Sequence, residues 1–401
     1  MNPWLTIIGL NQKGIGTLSA DAQHALHHAE IVVAAQKYHD YFPELKTERW
    51  IWRRPLKRTL DALEKVRGKK VVVLATGDPM WFGVGVSLSK RFLPHEMSII
   101  PGISAFSLVC ARLGWSISTT VCITMHGRPI NQLVNFLAPH QRLILLSHDQ
   151  TTPSKIANLL TERGYGSSKM IVFSDMNSLS EKYIEGLAKN NNFLDCSDFN
   201  TIAIECSEGE VNSLMPLTIG LPDDVFHHDG QLTKYKIRTL TLSALMPMPN
   251  QTLWDIGAGC GSISIEWARY HSTMKSYAIE KNEKRCQFIK ENSDSFGLSN
   301  IDILSGTAPE ILNNLEKPDA IFIGGGLLEK NMIDICWQAL KKSGRLVINT
   351  VTIESEQEIL KIYKNLGGKL SKISIEQPDL LGELTVWRKS MPVTQLTVIK
   401  T

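Results

Sequence analysis

The sequence predicts an α/β protein built as two modules in series. Three observations carry that expectation. The 401 residues exceed what one ordinary core holds. Short β-rich apolar runs alternate with helical stretches through both halves, the pattern of mostly parallel sheets covered by helices. Near the middle, Ser207-Glu-Gly-Glu-Val-Asn-Ser213 and Gly220-Leu-Pro-Asp-Asp224 are polar, turn-rich and without periodicity. The expected division is therefore a first domain over 1–212, a linker over 213–229 and a second domain over 230–401.

In the first module strands are expected at 4–10, 31–35, 70–75, 97–100, 142–146, 170–174 and 200–206. In the second they are expected at 252–256, 275–280, 301–304, 320–323 and 345–350. The chain then runs through 370–376, 383–389 and 396–400 with no long helix between them, so the second sheet is expected to finish in a C-terminal β-hairpin. No repeat of 20–50 residues is visible.

Composition narrows the function classes. With 43% hydrophobic and 21% charged residues, the chain has the balance of a globular protein. No apolar run approaches the ~18 residues of a membrane span. The N-terminus reads as a first strand rather than a leader, so a cytoplasmic protein is expected. Seven scattered cysteines form no C-x-x-C pair and are expected to be reduced, buried thiols. Residues 1–212 hold 22 Lys+Arg against 19 Asp+Glu, and the remainder 21 against 21. That balance counts against a nucleic-acid partner.

The sharpest motif is Leu253-Trp-Asp-Ile-Gly-Ala-Gly-Cys-Gly-Ser262, a strand, a glycine turn and a helix start. Gly257, Gly259 and Gly261 let the backbone turn and approach a ligand, with Ala258 and Cys260 between them. The following helix offers its first N–H groups. A dinucleotide fingerprint needs glycine where Ser262 stands. Asp255 at the strand end fits adenosylmethionine better, by organising the loop and attracting the cationic methionine end. Glu280 ends the next strand 23 positions after Gly257, where a carboxylate can accept ribose hydroxyls. Thr307 and Ala308 follow the third strand and are expected to face the adenine. Gly324 opens a triple glycine at the end of the fourth.

The first module has no such signature, but two glycine/proline turns follow apolar strands: Gly77-Asp78-Pro79 and Pro101-Gly-Ile-Ser104-Ala105. From the residues alone these are ligand loops or plain connections.

At these positions the sequence resembles known families. Gly9 after a first strand, Gly77-Asp-Pro79 and Pro101-Gly-Ile-Ser-Ala105 resemble the tetrapyrrole methylases. Val71–Gly85, Ala111-Arg-Leu-Gly-Trp115 and His126-Gly-Arg-Pro129 look like their C5-methyltransferase branch. His228-Asp-Gly-Gln-Leu-Thr-Lys234 and the glycine turn resemble the C15-methyltransferase (decarboxylating) domain. The tandem is similar to the bifunctional precorrin-6B C5,15-methyltransferase (decarboxylating) family of cobalamin biosynthesis. The chain departs from it at Asn11-Gln-Lys-Gly14 and at Lys236.

The resemblance implies a tetrapyrrole methylase fold of two α/β subdomains, followed by a class I Rossmann-like methyltransferase domain. It implies S-adenosyl-L-methionine at two sites: Gly9, Gly77, Asp78, Pro79, Ser104 and Ala105 in the first, Thr233 joining Asp255–Gly261, Glu280, Thr307, Ala308 and Gly324 in the second. Corrinoid carboxylates would meet His126 and Arg128 in the first module and His227, His228, Lys234 and Arg238 in the second. No single catalytic acid or base stands out. A homo-oligomer without nucleic-acid or membrane partners is expected. The alternatives are a cobalt-containing precorrin substrate, a first domain that only binds tetrapyrrole, and an RNA methyltransferase.

Other patterns have plainer readings. His24, His27 and His28 share a helix face but have no local carboxylate or cysteine, so no metal is expected. Arg49–Arg58 interleaves basic and aromatic residues, as a solvated rim or a subunit contact would.

Overall fold

The computed structural model describes residues 3–43, 46–210, 215–216 and 218–401; the expected boundary at 212–213 lies outside them. The chain divides into two compact units, Met1–Arg128 with Ala138–Ser213, and Pro129–Leu137 with Leu214–Thr401. The short stretch 129–137 was expected in the first domain. Asn135 explains its place: it donates to the Phe296 carbonyl (2.6 Å) and accepts from Arg269 Nε (2.9 Å).

The first unit opens with a wholly parallel sheet of β1 (Leu5–Leu10), β2 (Ile31–Ala34), β3 (Glu48–Ile51), β4 (Val71–Thr76) and β5 (Met97–Ile100), in the order β3-β2-β4-β1-β5. Its central strands are apolar on both faces, as helices on both sides require. Along β4, Val72 and Leu74 join Ile8 and Leu10 in one core, while Val71, Val73 and Ala75 join Leu5 and Ile7 in the other. Each such valine, leucine or isoleucine side chain, fully buried, stabilises by about 1.5–3 kcal/mol.

A second sheet holds β6 (Val121–Thr124), β7 (Arg142–Leu146), β8 (Lys169–Ser174), β9 (Lys182–Leu187) and β10 (Asn200–Glu205), ordered β6-β7-β10-β8-β9. Here the mostly parallel expectation fails. Only β6 and β7 run parallel, and β10 lies antiparallel between β7 and β8. The seven residues between β8 and β9 are too few for a crossover helix, so the chain folds straight back.

The second unit carries a seven-stranded sheet. Its strands are β11 (Thr252–Ile256), β12 (Lys275–Glu280), β13 (Ile301–Ser305), β14 (Ala320–Ile323), β15 (Arg345–Thr350), β16 (Lys369–Ile373) and β19 (Val393–Ile399). Their order is β13-β12-β11-β14-β15-β19-β16, parallel from β13 to β15, with β19 and β16 antiparallel at the end. Between them β17 (Glu376–Leu381) and β18 (Leu384–Lys389) pair only with each other. The expected terminal hairpin is thus two pairs: one closes the sheet, and the other stands in solvent.

Residues 220–229 do not behave as a linker. Gly220 and Leu221 donate to the Glu266 carboxylate, Asp223 accepts from Tyr235 N, and His227 N donates to Asn292. The segment has no apolar periodicity because polar bonds and two separate buried side chains, Leu221 and Phe226, hold it rather than a continuous stripe.

Candidate functional site

In the second unit the ends of four parallel strands are stitched into one rim. Gly257 and Ala258 donate to the Ile279 carbonyl at 3.0 Å, Gly306 to that of Glu280 and Gly324 to that of Ile256. Gly257 sits at φ 72°, and a Cβ there would lie 2.7 Å from Gly325 N. Glycine at 257 is therefore demanded by the close passage of β11 and β14 ends.

Asp255 is sealed beneath this rim at 1% exposure. Its Oδ2 accepts from Ser264 N (3.1 Å) and Ser264 Oγ (2.6 Å), which ties the strand to the helix Ser262–Tyr270. Its Oδ1 has no hydrogen-bond partner. Burial pushes this carboxyl up to about 7, against the Ser264 bonds that favour its charge. Glu280 is also buried. Its Oε2 accepts from Gly259 N (2.9 Å) and its Oε1 from Asn282 N (3.0 Å). A carboxylate has about four acceptor positions, so capacity for two more donors remains.

The segment carrying His227, His228, Thr233 and Lys234 is bolted to the glycine turn by Asn292. This fully buried side chain accepts from His227 N (2.8 Å) and donates to the carbonyls of His227 and Cys260 (3.0 Å each). Arg285 Nε meets Asp229 Oδ2 at 2.9 Å, and the Gln231 carbonyl faces the Cα of Gly259. His228 Nδ1 accepts from Gly230 N, while His227 and Lys234 stay exposed. Asn292 carried no sequence signal, being one polar residue in a polar helix.

Arg238 is a correction. Expected to meet a substrate carboxylate, it is fully buried. Its Nε meets Glu266 (2.6 Å) and its Nη1 meets Asp223 (2.8 Å) and the Thr233 carbonyl (2.6 Å). Nη2 donates to the Leu221 carbonyl, and the guanidinium covers the Phe226 ring. Its donors serve the fold. Two further side chains point inward: Ala308 packs in the core, and burial raises the Cys260 thiol to about 11. These two can offer a ligand only backbone groups, whereas Thr307 and Gly324 are exposed.

In the first unit three strand ends converge. A Cβ on Gly9 would collide with Gly102 N and the Gly77 carbonyl. Gly77 N donates to the Leu10 carbonyl (2.8 Å), Asp78 Oδ1 accepts from Met80 N (2.8 Å), and Pro79 is buried. Buried Ser104 caps the helix Ala105–Leu113 by accepting from Ser107 N (3.1 Å). The guanidinium of Arg128 lies 5.5 Å over Phe82, which brings it to the loop after Gly77. The His126 and His148 rings are 5.1 Å apart. The structure also shows a bond that the sequence hid: Tyr38 Oη to Thr76 Oγ1, 2.6 Å, just before Gly77. His24 and His28 stack at 4.1 Å, and His28 Nδ1 turns back to the His24 carbonyl.

Comparison with known proteins separates the same two parts. Residues 5–190 match the family model of tetrapyrrole (corrin/porphyrin) methylases. Residues 224–400 match that of a precorrin methyltransferase domain. A precorrin-6Y C(5,15)-methyltransferase [decarboxylating] of a Sinorhizobium species is 38% identical over 98% of this chain and 96% of its own. A Saccharolobus solfataricus protein named "Probable cobalt-precorrin-6B C(15)-methyltransferase (decarboxylating)" is 37% identical over 39% of this chain and 81% of its own. The cobalt-precorrin-7 C(5)-methyltransferase of Salmonella typhimurium is 29% identical over 44% of this chain and 88% of its own.

Proposed function

The chain belongs to the precorrin-6Y C(5,15)-methyltransferase [decarboxylating] family, and on that premise we propose how its two parts divide the work. It is a methyltransferase acting on a precorrin in cobalamin biosynthesis. The first unit methylates C5 of the substrate, precorrin-6B (precorrin-6Y in the relatives' naming). The second methylates C15 and releases CO₂ from the C12 acetate. Both draw the methyl group from S-adenosylmethionine.

The observation that carries the cofactor reading is the pair of buried carboxylates under the second rim. Asp255 keeps one oxygen unpaired, and Glu280 keeps spare acceptor capacity beside Gly259. An unpaired buried carboxylate oxygen suits the cationic amino-acid end, and Glu280 suits vicinal hydroxyls. A dinucleotide supplies no ammonium for Asp255. When bound, the cofactor supplies an electrophilic methyl on a good leaving group. The electron-rich ring carbons need no enzyme nucleophile, and holding the reactants in line contributes roughly 7–11 kcal/mol. In the second unit His227 and Lys234 meet substrate carboxylates at the edge of the turn, a reading their exposure supports. In the first, Gly77–Pro79 with Ser104 and Ala105 form the cofactor loops, and His126 and Arg128 meet the substrate.

A cytoplasmic homo-oligomer without nucleic-acid partners completes the reading. No helix of the described residues is long and apolar enough to cross a membrane. The solvent-facing pair β17–β18 exposes Leu380, Leu384 and Trp387, which suits burial against another copy. The test is the mass of the product formed from precorrin-6B and labelled cofactor. Gain of two methyl groups with loss of one CO₂ is expected. One methyl with loss of CO₂ would reduce the first unit to a tetrapyrrole-binding module, and transfer to RNA alone would overturn the reading. Parallel assays with the cobalt-containing substrate decide between the two corrinoid forms.

A further inference from the structure

At the C-terminal rim of the first sheet stands a cation that the glycine loops and the expected contacts do not include. Lys37 lies in the short helix Gln36–His39, which follows β2. The neighbouring strand β4 ends at Thr76, next to Gly77. Tyr38 anchors this helix to that rim through its bond to Thr76 Oγ1. Open α/β sheets bind ligands at this edge.

The Lys37 ammonium stands 4.4 Å from the centre of the Phe199 ring and 5.0 Å from that of Tyr38. Phe199 immediately precedes β10, and its carbonyl accepts from Asp175 N just after β8. Lys37 therefore reaches from the rim of the first sheet to the loops of the second. The residue as a whole remains exposed, but its charged end is partly desolvated, which lowers its pKa against the raising influence of Asp175. Among the described residues, no carboxylate lies within ion-pair distance and no acceptor takes its N–H groups. Ordinary surface lysines keep the ammonium in water. Here the two rings replace part of that water, and three donors are left for an incoming anion.

We propose that Lys37 anchors a peripheral carboxylate of the tetrapyrrole and so positions it for methyl transfer in the first unit. This rests on the reading of that unit as the C5 site. The lysine fixes the ring's orientation through a charge-assisted hydrogen bond, while the glycine loops serve the methyl donor.

The test uses the full chain, with C5 and C15 products separated by mass and NMR. Lys37→Gln is expected to raise the corrinoid KM of the C5 step about tenfold, the worth of one hydrogen bond to a charged group. The C5 kcat should stay within a few-fold, and both the methyl-donor KM and the C15 step should not change. Lys37→Arg should recover most of the loss. Lys37→Met keeps the stem over Phe199 and replaces Lys37→Gln if that variant melts early. An unchanged corrinoid KM, or a loss shared equally by C5 and C15, overturns the proposal. Should the unaltered chain give C15 product and no C5 product, the site reading falls first and takes the proposal with it.

Discussion

A carboxyl group with one oxygen unpaired in a sealed site is expensive to ionise, and Asp255 is such a group. The unfolded chain ionises it near 3.8, while burial moves the folded group to about 7. Below about pH 4 both states hold the proton and nothing is lost. Between those values only the unfolded state gives it up, so stability declines as pH rises to about 7 and is flat beyond. The three-unit gap corresponds to about 4 kcal/mol at most. Asp255→Asn should therefore raise the melting temperature of the cofactor-free protein at pH 8, and raise it less at pH 5. The same change should weaken adenosylmethionine binding at least tenfold by titration calorimetry. A melting gain equal at both pH values would refute the assigned charge. Gly9 is a second single-residue case. Gly9→Ala forces a methyl into Gly102 and Gly77, and should destabilise the first unit by about 1–3 kcal/mol in thermal melts.

Among the elements, the helix Tyr235–Leu245 is pinned to the helix Ser262–Tyr270 by a buried ion pair rather than by apolar contact alone. Arg238→Met would leave Glu266, at 1% side-chain exposure, without a counter-ion and with only the Gly220 and Leu221 N–H groups, a loss of about 3–5 kcal/mol. Arg238→Met/Glu266→Leu should recover much of it, and denaturant titration of the three proteins measures the coupling. The solvent-facing pair β17–β18 makes the opposite kind of element. Two strands alone are marginal in water, and Leu384 and Trp387 are 72% and 71% exposed. Leu384→Lys/Trp387→Lys should lower the molar mass seen by light scattering with little change in melting; an unchanged mass removes the hairpin as the oligomer contact. Exposed edge strands elsewhere mark where the sequence went silent. Strands buried on both faces, such as β4 and β11, announce themselves as apolar runs. Edge strands β3 and β9 are largely exposed polar sequence and gave no signal.

Across the whole molecule, the same contrast governs the candidate sites. The glycine turn and Glu280 were legible because close backbone passage and strand-end chemistry restrict residue type. Arg238 was misread and Asn292 missed because a charged or amide side chain looks alike in sequence whether it faces solvent or bolts two loops together. Burial decides, and burial is a property of the assembled unit. Lys37 escaped for a related reason, since Phe199 lies 162 positions away in sequence. The ion pair of Arg238 has a further consequence, for where the chain can be severed. A fragment beginning at residue 230 keeps both charges but discards Gly220, Leu221 and Asp223, four of whose polar groups complete the cluster. One beginning at residue 215 retains every partner of Arg238, though not the Asn135 bonds to Arg269 and Phe296. A separable second unit should therefore start upstream of Gly220, its complement being 129–137, and a cut ten residues later should leave an insoluble remnant even though every glycine of the turn is intact.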